Sequence, residues 1–304
     1  MKIFDNLDNE KKGFLYGLIG IIIFSVTPPA TKIALGFPIP QMSAEFITFG
    51  RSSVAGFISL FYLIYFKKKF PNPKQLLTLS IISISLTICF PLFLALGLLH
   101  STSVHSAVIL GFLPLATAII ASFYFKHKAS AGFWICAVLG GLMVIIYSLL
   151  HSKNFYNAFK ISYSDIFLFM SVMSASIGYN VGAKLSRDND SITVISSALV
   201  IILPFHLLLA IHYFPKYSIH LVSWLAFFYV ATFSQWVGLF MWFRGLHLGG
   251  PVKVSQIQLL MTFFTFGFSI LMLGESLDWL TIIFSLVIIV IIYISKKMDV
   301  AKDN

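Results

Sequence analysis

Charged side chains are scarce in this 304-residue chain, where they make up only 11% of the residues. A soluble domain carries roughly 25% charged residues. Because 58% of the residues are hydrophobic, the chain has too little polar surface to face water on all sides. The composition therefore excludes an ordinary soluble domain and predicts an integral membrane protein whose main solvent is lipid.

Cysteines and the motifs of common enzymes are also scarce or absent. Cys89 and Cys136 both lie in apolar runs, which indicates buried thiols rather than a disulfide or a metal pair. The sequence has no Gly-rich phosphate loop, no HExxH metal helix and no GxSxG nucleophile turn. We therefore expect neither an enzyme nor an ATP-driven motor, and we predict no cofactor and no metal.

What the sequence has in abundance is long apolar runs. Each run is about 19 to 24 residues long, enough for a helix to span a bilayer core at 1.5 Å per residue. The pattern predicts an all-α protein with ten transmembrane helices, at approximately 13–35, 45–66, 75–98, 103–125, 131–150, 163–184, 191–214, 222–244, 252–273 and 278–296.

The basic residues are distributed unevenly between the predicted loops. The net charge is +10, but no basic helix or nucleic-acid motif is present, so we expect no nucleic-acid partner. With the N-terminus inside, 16 of the 21 lysines and arginines fall in cytoplasmic segments, and only Lys153, Lys160 and Lys216 fall in outer loops. This bias predicts that both termini are cytoplasmic, in a membrane that we expect to be a bacterial inner membrane.

The ten predicted helices divide into two groups of five at the longest outer loop, which gives halves at 1–152 and 153–304. An odd number of helices per half inverts the second half relative to the first, as in many secondary transporters. Two short parallels support the division. "GLLHSTSV" aligns with "GLHLGGPV", and "FYFKHKAS" aligns with "LMLGESLD", where a basic linker faces an acidic one.

Several segments, taken in order, resemble one known family. They are "FSVTPPATKIAL", "FGRSSVAG", "HSAVILGFLPLATAI", "FRGLHLGG", "KVSQIQLL" and "LMLGE". Together with the ten-helix layout, these segments resemble the EamA-type members of the drug/metabolite transporter superfamily, and the resemblance covers nearly the whole chain. Two positions depart from the family's pattern: Lys126–Lys128 replaces a frequent glycine-glutamate, and Met261-Thr262 replaces a common proline. The resemblance implies export or exchange of a small metabolite, such as an amino acid or a related compound.

Four residues in the first two predicted helices are unusual for an apolar span. Pro28 and Pro29 leave carbonyls of the preceding turn unpaired, so they predict either a hinge beside a polar pathway or a packing kink. Lys32 indicates either a contact with headgroups, a pair with Glu45, or a cation that meets an anionic group of the substrate. Arg51 lies deeper in the membrane and has the same alternatives.

Polar and aromatic side chains in the later helices indicate a cavity. Amide side chains have several hydrogen-bonding atoms to satisfy in a dry environment, and Tyr and Trp supply flat walls with a polar edge. We therefore predict that substrate-binding residues include Gln258, Gln235, Asn180, Tyr179 and Trp236. The serines and threonines of the same helices are more often packing contacts between helices than ligand contacts.

The most direct interpretation is a secondary transporter that exposes one site alternately to the two sides of the membrane. A channel-like or scaffold membrane protein is the alternative, although no ring of like residues marks a pore. The sequence also leaves a homodimer open. Proton-driven carriers commonly hold a titratable carboxylate within the bundle, but all eleven acids here lie outside the apolar cores or at their ends. His105, His206 and the two basic helix residues, Lys32 and Arg51, are the remaining candidates for proton coupling, and only histidine titrates near neutral pH. We therefore predict facilitated diffusion or exchange.

Overall fold

The computed structural model describes residues 8–36, 39–68, 72–124, 130–151, 162–249 and 254–298. Within these ranges the chain is helical and contains no strand. Ten helical segments follow one another there: α1 (Asn9–Leu35), α2 (Ala44–Tyr65), α3 (Pro73–Leu99), α4 (Ser103–Tyr124), α5 (Ala131–His151), α6 (Tyr163–Leu185), α7 (Ser191–Ile201 and Leu203–His212), α8 (Leu221–Gly249), α9 (Leu259–Leu273) and α10 (Trp279–Met298).

The helices are apolar enough for a membrane. Six of them (α1–α4, α6 and α8) are long and apolar enough to cross a bilayer, and α7 adds a span if its two pieces, bent by 53°, count together. The apolar parts of α5, α9 and α10 are shorter. Large side chains on the outside, such as Leu77 (74% exposed) and Leu271 (82% exposed), suit contact with lipid. The all-helical prediction is confirmed for the described residues, while the count of ten spans stays a prediction.

The contacts between helices follow a repeating pattern. If each helix of the first five is matched with the helix five positions later, its counterpart, then contacts between two helices recur between their counterparts. Helix α1 packs on α8, and its counterpart α6 packs on α3. In the same way, the contact between α4 and α6 corresponds to the contact between α9 and α1. The contact between α2 and α8 corresponds to the contact between α7 and α3. Three helices also contact their own counterparts, in the pairs α2 and α7, α4 and α9, and α5 and α10, and α2 packs on α3 as well.

Glycines bring the backbones of α1 and α8 into direct contact. A Cβ atom on Gly13 would lie 2.2 Å from the backbone nitrogen of Gly249, and one on Gly245 would lie 2.7 Å from that of Gly17. Small residues allow such close approach between membrane helices, where packing drives association. This contact joins the two helices at the end that the lysine distribution assigns to the cytoplasm.

The two prolines lie at an internal break of α1. One helical piece ends at Ser25 and the next begins at Thr27, which places Pro28 and Pro29 in a first turn where their missing N–H groups cost no intrahelical bond. Both prolines are buried. Near the break, the Tyr229 hydroxyl donates a 2.9 Å hydrogen bond to the Ile23 carbonyl, so protein rather than lipid surrounds this backbone.

Helices α3 and α8, which are counterparts, both contain a π-helical segment. These segments are Ile84–Cys89 in α3 and Val230–Gly238 in α8. A π turn loosens the normal pairing of carbonyls, and such turns are frequent at functional sites. Here side chains contact two of the carbonyls: Gln235 donates to Leu86 over 3.2 Å, and Ser52 donates to Thr87 over 2.8 Å.

Candidate functional site

A small cavity lies near the middle of the bundle. Its volume is about 10 Å³, which is about the space that one water molecule requires. Helices α1, α3, α4, α6 and α9 line it through Phe24, Thr27, Pro28, Phe90, Leu94, Leu110, Leu113, Tyr179 and Met261. All of these side chains are apolar except Thr27 and Tyr179. The structure therefore has a small, mostly apolar central cavity.

Two of the predicted site residues, Pro28 and Tyr179, lie in the wall of this cavity. The Tyr179 ring stacks on Phe24 with centroids 6.3 Å apart, and it is tilted against Trp242 at 6.0 Å. Helix α6 continues through this region without a break, so it holds Tyr179 on a rigid element. The ring supplies the flat wall that the sequence predicts for a ligand pocket.

A short hydrogen-bonded chain connects the cavity wall to Arg51 of α2. The Thr27 hydroxyl donates to Ser234 Oγ over 2.8 Å, and Arg51 Nη2 donates to the same oxygen over 3.1 Å. Arg51 is only 1% exposed, and its Nε and Nη1 atoms have no hydrogen-bond partner among the described residues. A buried guanidinium with two donor nitrogens unused is the most unusual polar group of the site.

Sequence reasoning missed Thr27 and Ser234. Hydroxyl residues are so common as packing contacts in membrane helices that neither residue stands out in the sequence. The signal that identifies them is spatial, because their contact joins α1 to α8 beside Arg51. The cluster of Arg51, Ser234, Thr27 and Tyr179 is called the central cluster below.

The two predicted glutamines are buried but lie outside the cavity wall. Gln258 is 3% exposed, and its Oε1 atom has no partner among the described residues. It lies in the 3₁₀ turn Ser255–Gln258 that leads into α9. Gln235 is 1% exposed and donates to the Leu86 carbonyl. Their predicted role in substrate binding stays a prediction.

Asn180 and Trp236 make contacts away from the central cavity. The Asn180 amide donates to the Thr117 and Ser176 carbonyls over 3.0 Å and 2.9 Å. The Trp236 indole donates to Ser196 Oγ over 3.1 Å, and its ring contacts Tyr62. In this conformation the structure does not bring these two residues together with the central cluster.

Lys32 lies at the predicted outer end, where it contacts backbone carbonyls. Its ammonium group donates to the carbonyls of Leu98, over 2.5 Å, and Ser101, over 2.8 Å, at the end of α3. The Glu275 carboxylate also interacts electrostatically with this charge. Of the alternatives for Lys32, the described contacts therefore favour an interaction inside the protein, with Glu275 rather than Glu45 as the acidic neighbour.

Glu275 itself binds the first turn of α4. Its two carboxylate oxygens accept hydrogen bonds from the backbone N–H groups of Ser103, over 2.9 Å, and Val104, over 2.7 Å. A carboxylate at a helix N-terminus satisfies unpaired amides and interacts favourably with the helix dipole. This contact ties the turn between α9 and α10 to α4.

One carboxylate at a helix end is buried. Asp165 opens α6 as predicted, but it is 7% exposed and its Oδ1 lies 2.6 Å from His105 Nε2. Asp165 therefore lies at the end of an apolar run, as predicted, and it is buried there because the start of α6 packs against His105 of α4. The other candidate histidine, His206, is fully buried 3.3 Å from the Thr87 hydroxyl.

Comparison with known proteins identifies the family. Residues 11–149 and 162–296 each match the model of the EamA-like transporter family. The chain belongs to this family. It is 31% identical over 293 residues to the "uncharacterized transporter YdeK" of Bacillus subtilis (strain 168), which covers 96% of this chain and 99% of that protein. The sequence-based resemblance is therefore confirmed.

Two more distant likenesses agree with this assignment. The EamA-like chain is 24% identical over 274 residues to a WAT1-related chloroplastic protein of Arabidopsis thaliana, over 86% of this chain and 65% of that protein. A solved crystal structure matches with a TM-score of 0.64 over 93% of this chain and 97% of the other, at 11% identity. The last likeness concerns the fold alone. The family and relatives indicate a membrane transporter rather than an enzyme.

Proposed function

We propose that this EamA-like protein is a secondary transporter that exports or exchanges a small metabolite, such as an amino acid or a related compound. It works by alternating access between two inverted five-helix repeats, residues 1–152 and 153–304. It lies in a bacterial inner membrane with both termini in the cytoplasm. Part of the lysine distribution behind this topology falls on residues 1–7, 69–71, 125–129, 152–161, 250–253 and 299–304, which lie outside the described residues.

The paired helix packing carries this proposal. A pattern that repeats when five is added to each helix number is what two related halves, facing each other across an approximate two-fold axis, would produce. The family model also matches the chain twice, once on each side of the middle loop. Two such halves can rock against each other around a site held between them.

The positions of the polar contacts support alternating access. At the predicted outer end, four residues connect helices from both halves: Lys32, Glu275, His105 and Asp165. We call these the outer contact cluster. At the predicted inner end, the glycines of α1 and α8 hold one helix of each half in direct contact. The cavity between them has a volume of only about 10 Å³, which supports our inference that neither side of the membrane has open access to it. Opening to the outside would break the outer contact cluster.

The buried His105–Asp165 pair bears on energy coupling. We retain facilitated diffusion or exchange as the proposed mode, because the pair lies in the outer contact cluster rather than in the central cluster. Substrate can then move without an imposed proton gradient.

A channel-like or scaffold role is the second candidate, and a homodimer is compatible with either function. The tight glycine contact and the small cavity favour a carrier, since a pore needs a continuous path in its conducting state.

Metabolite profiling of cells with and without the gene tests the proposal. We expect at least one small metabolite to change in concentration across the membrane, and uptake or efflux of that compound to depend on the protein. An unchanged metabolite profile together with unitary currents in a planar bilayer would instead support a channel.

A further inference from the structure

The strongest unexplained feature of the molecule is the buried charge of Arg51. Its side chain is 1% exposed in the middle of α2, and its one described acceptor is the neutral Ser234 hydroxyl. Two of its donor nitrogens, Nε and Nη1, have no partner among the described residues. An ion in this position carries a desolvation penalty of several kcal/mol unless an opposite charge compensates it.

The protein supplies no such charge within the described ranges. The ion pairs found there are Lys68–Asp190 and His105–Asp165, and neither involves Arg51. The electrostatic neighbour of Arg51 is the Tyr179 hydroxyl, which lines the central cavity. Arg51 is therefore a cation whose counter-charge is missing from the surrounding side chains.

We propose that Arg51 binds the carboxylate of the transported substrate, so that the substrate is a monocarboxylate with an apolar body. A guanidinium presents parallel N–H donors that match the two oxygens of a carboxylate. Ser234 holds Nη2 from one side and connects it through Thr27 to the cavity wall. This inference rests on the proposed transport function and narrows its substrate class to carboxylates without a charged amino group, so a zwitterionic amino acid is no longer the expected substrate.

The charge balance and the wall chemistry select that class. A single cation in the central cluster balances one negative charge, so a carboxylate fits better than a phosphate dianion. The wall beyond Thr27 and Tyr179 consists of apolar side chains, including Phe24, Phe90 and Met261. Such a surface favours an aliphatic or aromatic body and leaves a further charged group without a partner.

Thermal stability of the purified protein tests the inference without knowledge of the natural substrate. The probes are two pairs of matched compounds at neutral pH: phenylacetate with phenylacetamide, and isovalerate with isovaleramide. We expect at least one carboxylate to raise the melting temperature of the wild type, while its neutral amide does not. In Arg51→Gln the affinity for that carboxylate should fall on the order of 100-fold, and Arg51→Lys should lie between the two.

Two controls separate a binding role from a structural one. Arg244→Gln alters another arginine, which packs on Tyr16 and Phe240, and it should keep the response to carboxylates. Without any probe, Arg51→Gln should melt at or above the wild-type temperature, because it removes an uncompensated buried charge. A clear loss of stability in Arg51→Gln without a probe would overturn the inference. So would carboxylates that stabilise neither protein, or that stabilise both equally.

Transport assays distinguish failure of this inference from failure of the proposed function. If Arg51→Gln liposomes exchange the profiled metabolite at the wild-type rate, the protein is a carrier but Arg51 does not bind its substrate. If carboxylates bind in an Arg51-dependent manner and no exchange occurs, the binding inference stands and the transporter proposal fails.

Discussion

Replacing Glu275 by glutamine should weaken the closed state of the predicted outer end. In the structure the two carboxylate oxygens accept hydrogen bonds of 2.9 Å and 2.7 Å from the amides of Ser103 and Val104. Glutamine keeps one carbonyl oxygen but places an NH₂ group against the other amide, and it removes the negative charge near Lys32. Loss of one charged hydrogen bond at a helix N-terminus costs about 2 kcal/mol.

That loss has a measurable consequence for the conformational equilibrium. Since 1.4 kcal/mol corresponds to about a factor of ten, the ratio of closed to outward-open molecules should fall about 30-fold in Glu275→Gln. A single cysteine at Leu94, which is fully buried in the cavity wall, reports the opening. It is introduced after replacement of Cys89 and Cys136 by alanine.

The assay is the rate of labelling by a membrane-impermeant maleimide added to the outside of intact cells. Labelling of Leu94→Cys should be about 30-fold faster with Glu275→Gln than without it. Glu45→Gln is the matched control, since Glu45 is an acid in the first turn of α2 at the same end. Equal labelling rates in the presence and absence of Glu275→Gln would refute the reasoning, and an effect of Glu45→Gln alone would show that Lys32 depends on Glu45.

Three further predictions follow from other parts of the molecule. Gly13→Ala should lower the free energy of unfolding by about 1–3 kcal/mol, because the new methyl group would overpack against Gly249. The measurement is the melting temperature in detergent. Gly141→Ala should leave that temperature unchanged, because nothing lies within 4 Å of a Cβ atom there. Gln258→Leu should reduce transport at unchanged expression and fold; a wild-type transport rate would show that Gln258 is a packing residue. A cysteine at Lys68 should react with impermeant reagent only after the cells are opened, and labelling of intact cells would invert the predicted topology.

The helical layout could be predicted from the sequence because hydropathy alone determines it. Each of the ten apolar runs overlaps one helical segment, since a backbone in lipid must pair its own polar groups. The π-helical segments of α3 and α8 could not be predicted. Their geometry depends on contacts between distant parts of the chain, such as the hydrogen bond from Gln235 to Leu86.

The candidate site was predictable where a residue is unusual for its surroundings. Arg51, Pro28 and Tyr179 stand out in apolar helices, and all three lie in or beside the central cavity. Ser234 and Thr27 do not stand out, because their importance arises only from their shared contact with Arg51. The burial of Asp165 could not be predicted for a related reason, since a position at a helix end does not reveal whether another helix covers it.

The central claim, that two halves alternate around one site, is tested most directly by counterflow in liposomes. Purified protein is reconstituted with a high internal concentration of the profiled metabolite, and a trace of labelled compound is added outside with no pH or ion gradient. The account predicts a transient accumulation of label inside the liposomes above its equilibrium level. Each unlabelled molecule that the carrier moves out leaves the site facing outward, where the carrier binds a labelled molecule and carries it in. Label that only equilibrates, with unitary conductance in the same preparation, would contradict the account.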